Sequence, residues 1–179
     1  MRHVREKCND TVIRGMCMAS KQEIIAAIET GETRVSHTFG ALSEAQLATP
    51  VHEGVGGWTV KGILAHLAAR GATYDALIGM AGSDRPVLGG GFDIDAWNQA
   101  QVETYIGESR DALLSEFRAA HDALIVRVQA MPDEALQRTI AFPRGPVTLG
   151  DVLRNAGGTH AVSHAEDVEK ALGMNAPSA

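Results

Sequence analysis

The chain has 179 residues, of which 45% are apolar, 4% aromatic and 21% charged. That length supports a single domain with a sizeable core, and long Ala- and Leu-rich segments poor in aromatics favour helices packed on helices. A formal charge of −6, with no basic run, argues against a nucleic-acid backbone or an anionic membrane as partner.

Cys8 and Cys17 both fall near the amino terminus. A disulfide between them would close only a small loop outside the expected core, so free thiols in a reducing cytoplasm are expected. No C-x₂-C pattern is present, which removes a thioredoxin-like motif or a cysteine zinc site. The least polar early stretch, residues 11–19, is short and broken by Arg14, unlike a signal peptide. No stretch approaches the roughly 18 apolar residues of a membrane span. A cytoplasmic protein is expected. Residues 1–19 lack a helical period and read as a poorly ordered extension, residues 20–173 as the folded domain, and residues 174–179 as a tail.

Ser20 followed by Glu23 is a capping-box pattern, and Ile24, Ile28, Val35, Phe39 and Leu42 recur at helical spacing. This predicts a first helix that ends before Thr49-Pro50. A glycine-rich turn, Gly54 to Gly57, leads to Thr59, a suitable cap for a second helix. Its main stripe is Val60, Leu64, Leu67, Gly71, Tyr74 and Ile78, flanked by Ile63, His66, Arg70 and Leu77, and it stops near Gly82-Ser83. Pro86 to Gly91 reads as a loop, and residues 92–98 open a shorter helical piece that ends near Gly107.

Ser109 caps the third long helix, with the stripe Leu113, Phe117, Ala120, Leu124, Val128 and Met131. Pro132-Asp133-Glu134 restarts a short turn. Residues 137–147 read as a loop in which Thr139 to Phe142 could pair briefly as an edge strand. Thr148 caps the fourth long helix and Gly173 is placed to end it. Four long helices with one small helix between them predict an all-α four-helix bundle.

His160 and His164 stand four residues apart in the fourth stripe, Leu149, Leu153, Ala156, His160, His164 and Val168. On a helix this spacing stacks two imidazoles on one face, roughly 5–6 Å apart at Cβ. A buried imidazole needs a partner, and one metal ion can satisfy two of them. A polar seam hydrogen-bonded across the bundle is the other reading of the pair. His66 could join it from the second helix, or be a flank histidine only. Three imidazoles would leave a coordination position open, the pattern of catalytic centres, and they suit zinc, nickel, iron or copper. Gly157 and Gly158 cost helix propensity and imply the close approach of a neighbouring helix or a substrate. His37 and His121 read as solvated or satisfied by backbone groups, and His3 and His52 carry no signal. There is no G-x-S-x-G nucleophile elbow, and Gly89-Gly90-Gly91 is not followed by the G-K-[ST] of a phosphate loop.

The segment Gly57-Trp58-Thr59-Val60-Lys61-Gly62-Ile63-Leu64-Ala65-His66-Leu67 resembles the second-helix signature of the DinB/YfiT-like superfamily, and His160-Ala161-Val162-Ser163-His164 matches its H-x₃-H on the fourth helix. The resemblance covers residues 20–173. It implies an up-down-down-up bundle, commonly a homodimer, with a divalent metal (Zn, Ni or Fe) held by His66, His160 and His164. It also implies a small-molecule substrate, and neither a nucleic-acid nor a membrane partner. Relatives of this kind include thiol-dependent enzymes, in which the metal stabilises the thiolate of a low-molecular-weight thiol.

Residues 92–98 resemble the segment before the third helix in the maleylpyruvate-isomerase-type branch, which makes Trp97 and Asn98 candidates to line the mouth of the site. Packing and helix capping are their structural alternative. That branch often has glutamate where His160 stands, and its isomerases carry a further C-terminal domain. The expected function is a metal-dependent enzyme of thiol-transferase or hydrolase type. The alternative is a ClbS/DfsB-like binding or self-protection protein with no obligatory metal.

Overall fold

Ser20 opens the first helix as its spacing predicts. Its hydroxyl accepts from the Glu23 amide and the Glu23 carboxylate accepts from the Ser20 amide at 2.7 Å, so two otherwise unsatisfied donors are paired. This is the beginning of a computed structural model that describes residues 19–51, 58–81, 93–142 and 145–174. The two cysteines, His3, His52, the Gly54–Gly57 turn, the Gly82-Ser83 stop, the Pro86–Gly91 loop and nearly all of the expected extension and tail lie outside the described residues.

Helix α1 spans Lys21–Phe39 and buries Ile24, Ile28, Gly31, Val35, Thr38 and Phe39. It stops ten residues earlier than its stripe suggests, with Gly40 as C-cap. Leu42 is buried beyond the helix end, so its agreement with the helical period is fortuitous. A separate turn, α2 (Glu44–Leu47), starts from a second capping box, Ser43 with Gln46, which the single-helix expectation overlooks.

The second long helix is two pieces, α3 (Val60–Ala68) and α4 (Arg70–Met80), joined at Ala69. Thr59 caps α3 by accepting from the Gly62 amide at 3.2 Å. Every residue from Gly62 to Ala69 is buried, so α3 is wrapped by protein on all sides and has no polar face. His66 is therefore a core residue and not a flank.

Asp93 caps α5 (Ile94–Tyr105), and Ser109 caps α6 (Arg110–Ala130). A short α7 (Asp133–Leu136) follows. The expected loop then forms a hairpin: β1 (Thr139–Phe142) pairs antiparallel with β2 (Gly145–Thr148), with Thr139 opposite Thr148 and Ala141 opposite Pro146. Gly145 has φ of 119°, open to glycine alone without strain. Pro146 is tolerated because a two-stranded ribbon has only edges.

Thr148 caps the fourth helix, which is α8 (Leu149–Arg154), one π-helical turn (Asn155–Thr159) and α9 (His160–Ala171). Gly173, with φ of 64°, ends it as expected: Met174 donates back to the Glu169 carbonyl at 2.8 Å, closing a Schellman turn. Helix α1 packs against α6 and the fourth helix, and α3–α4 also pack against α6 and the fourth helix. Helices consecutive in sequence thus sit across the diagonal of the bundle.

The core divides into two apolar clusters, one with Val35, Phe39, Ile63, Phe117 and Ala165, the other with Ile24, Ile28, Tyr74, Leu124 and Leu153. Each long helix passes from one cluster to the other at a glycine or polar position: Gly31 on α1, Arg70 after the Ala69 junction, His121 on α6, and Gly157 to His160 on the fourth helix. A polar belt crosses the bundle at this level. The belt also contains its closest backbone contact. A Cβ on Gly158 would lie 2.7 Å from the Ala27 carbonyl oxygen, and one on Gly31 would lie 2.9 Å from that of Gly157. The close approach implied by the glycine pair is made by α1.

Candidate metal centre

The π turn sets the position of the histidine pair. It adds a residue to the helical register, so the fully buried row shifts from the 160/164 positions to Ala161, Ala165 and Val168. His160 and His164 are left half-buried at the border of the fourth helix. The single uninterrupted stripe expected from the spacing is corrected here, for the reason that the inserted residue rotates everything after it.

From that border the pair meets His66, which is 4% exposed. One donor nitrogen from each ring can be chosen so that all three lie within 4.8 Å of one another. The Nε2 atoms of His66 and His160 are 3.4 Å apart, though 94 positions separate the residues. Ring centroids are 5.2 Å apart for His66 with either partner and 4.5 Å for His160 with His164.

These distances suit one shared ion. Two nitrogens bound tetrahedrally at about 2.0–2.1 Å from zinc are about 3.3 Å from each other, and 3.4 Å is long for a direct imidazole hydrogen bond. Burial pushes the His66 pKa down to about 3, helped by the charges of His164 and Arg70. Burial likewise pushes His160 down to about 2, helped by Arg70 and the other two imidazoles. Both rings are therefore neutral at ordinary pH, with lone pairs available to a cation. The Nδ1 of His160 is buried without a hydrogen-bond partner. His164 is the open side: its side chain is 17% exposed, and its Nδ1 stands 3.8 Å from the half-exposed Asp167 carboxylate.

The family described as the mycothiol maleylpyruvate isomerase N-terminal domain matches residues 28–169. The chain belongs to this family. YfiT from Bacillus subtilis, described as a probable metal-dependent hydrolase with an unusual four-helix bundle topology, is 18% identical, with a TM-score of 0.65 over 94% of each chain. A mycothiol-dependent maleylpyruvate isomerase is 17% identical, with a TM-score of 0.65 over 84% of this chain. The chain spans 61% of that isomerase. No curated protein matches the chain in sequence. The DinB/YfiT-like, all-α bundle read from the two motifs is thus the fold of this family member.

Within it, the expected site residues fare differently. His66, His160 and His164 come together. Trp97 is 44% exposed on the first turn of α5, with Asn98 half-buried beside it. Their neighbour Gln99 connects α5 to the centre: its Oε1 accepts from Trp58 Nε1 at 3.0 Å, and the Trp58 ring lies 4.8 Å from that of His66. Sequence reasoning used Trp58 only as a signature residue and did not select Gln99 or Arg70. Trp58 carried a usable signal, since it precedes the cap of the histidine-bearing helix. A wide groove of about 570 Å³ lined by Ala26, Glu29, Thr30, Thr33, Arg34 and His37 follows α1. It includes none of the three imidazoles, so side-chain chemistry and not roominess defines the candidate centre.

Proposed function

We propose that this protein is a metal-dependent enzyme of the thiol-transferase or hydrolase type, acting on a small molecule, with a divalent zinc, nickel or iron ion held by His66, His160 and His164. The observation that carries this reading is the convergence of three imidazole donors within 4.8 Å. When bound, such an ion supplies a Lewis acid that lowers the pKa of a thiol or a water molecule.

The chain's own residues prepare the site. Burial keeps His66 and His160 neutral, so neither must lose a proton to act as a ligand. Trp58, held by Gln99, walls one side of His66 with an apolar ring and keeps water from that flank. The exposed edge at His164 is the entry side for a small molecule, and Trp97 and Asn98 are assigned to its mouth. A low-molecular-weight thiol as co-substrate is supported by the mycothiol dependence of the isomerase that shares the fold.

The test is elemental analysis of the tag-free protein beside a His160→Ala/His164→Ala variant. About one equivalent of metal in the parent and little in the variant is the expected result. No metal in either after reconstitution would overturn the reading, and a ClbS/DfsB-like binding role without a metal would take its place.

A further inference from the structure

The polar belt contains a cation that the proposed chemistry does not yet use. Arg70 lies one helical turn after His66. Its guanidinium carbon stands 5.8 Å from the Tyr74 ring centroid, and the Tyr74 hydroxyl donates to the Ala156 carbonyl at 3.3 Å, one turn before His160. Arg70 is thus one turn from the centre on the second helix and, through Tyr74, one turn from it on the fourth.

Arg34, Arg110, Arg127 and Arg154 each pair with a carboxylate. Among the described residues Arg70 has none, and its Nε is buried with no acceptor. A buried donor left unpaired costs free energy, and such a group in a native fold calls for an explanation. Its charge is felt at both His66 and His160.

The charge balance points the same way. Three neutral imidazoles cancel none of the charge of a divalent ion, and Arg70 adds one more positive charge. The acidic group described at the centre is Asp167, at its exposed edge. Positive charge gathered in a partly buried place is stabilised by an anion from outside.

We infer that Arg70 is the anion-binding residue of this centre, and that the substrate carries a carboxylate or similar oxyanion received by the Arg70 guanidinium beside the three histidines. The inference rests on the metal-centre reading for the place of chemistry, while the guanidinium and its missing acceptor stand without it. A planar fork of donors fits a carboxylate in two-point fashion, so Arg70 sets specificity and orientation.

The experiment loads the protein with Co(II) and titrates it calorimetrically with succinate, and with neutral succinamide as control. The expected result is that succinate binds and succinamide does not. Arg70→Gln should keep the parent's cobalt content and lose roughly 30-fold in succinate affinity. Equal succinate affinity in the two proteins at equal cobalt content overturns the inference, as does equal binding of succinamide by the parent. Arg70→Met keeps packing against Tyr74 without the charge and replaces Arg70→Gln if that variant does not fold. A parent that takes up no cobalt refutes the metal reading alone. The same titrations on metal-free protein then decide for Arg70: succinate binding lost in the variant sustains the inference, and no binding by the parent overturns it.

Discussion

His121 and Gly157 tie the third long helix to the π turn of the fourth, with His121 Nε2 2.9 Å from the Gly157 carbonyl oxygen. The other ring nitrogen faces the Phe117 carbonyl at 3.0 Å, and the ring is completely buried. Two carbonyls favour the protonated ring, but burial outweighs them and holds the pKa below its usual value. The folded ring thus refuses a proton that the unfolded ring accepts below about pH 6.5. Stability is full above that pH and is lost as pH falls toward the folded value. His66 and His160, held down to about 3 and about 2, add to the same slope. In chelator, thermal stability should fall between pH 8 and 5, by on the order of 2 kcal/mol for each strongly depressed ring. His121→Gln should make the fall shallower. A flat profile across that range would remove the case for neutral buried rings.

Glycines on the fourth helix and on α4 should respond oppositely to alanine. At Gly158 the new Cβ would meet the Ala27 backbone at 2.7 Å, and backbone cannot step aside as a flexible side chain can. Gly158→Ala should cost about 1–3 kcal/mol and weaken metal retention, because the π turn leads directly into His160. Gly79 is exposed near the end of α4, with nothing within 4 Å of its added Cβ. Gly79→Ala should therefore gain up to about 1 kcal/mol from helix propensity. Denaturant melts of the two variants check both signs at once.

Glu169 anchors α9 to α1 away from the centre. It is 5% exposed, accepts from the Thr38 hydroxyl at 2.6 Å, and pairs with Arg34. Glu169→Ala would strand both partners, and removing one member of a buried pair costs about 3 kcal/mol. The melting temperature should drop by roughly 6–12 °C with metal content unchanged. A variant that melts like the parent would show that the pair is no net support.

What the sequence made legible was local chemistry with a fixed offset. Ser20, Thr59, Ser109, Thr148 and Gly173 mark helix ends through their own side chains or backbone, and all five do so here. The histidines were legible because a four-residue spacing on a helix is itself a geometry. The π turn was not, since it answers to the fit of Gly158 against Ala27 across the bundle, and no local pattern encodes that fit. The same holds for the junction at Ala69 and for the partnerless Nε of Arg70, which only the three-dimensional packing reveals.

Metal should be worth stability as well as chemistry if the three imidazoles hold it. Free metal at a hundred times its Kd stabilises the folded state by about 2.7 kcal/mol, a rise of roughly 5–10 °C for a domain of this size. A chelator should reverse the rise. His66→Ala opens a cavity and lowers the melting temperature in its own right, so the diagnostic quantity is the metal-dependent increment and not the absolute value. That increment should vanish in His66→Ala and in His160→Ala, yet persist in His37→Ala, whose ring is exposed on α1. Survival of the full increment in His66→Ala would remove His66 from the centre. The ion would then be bound by the i, i+4 pair alone, and the 3.4 Å approach of His66 to His160 would be a contact between two neutral core rings.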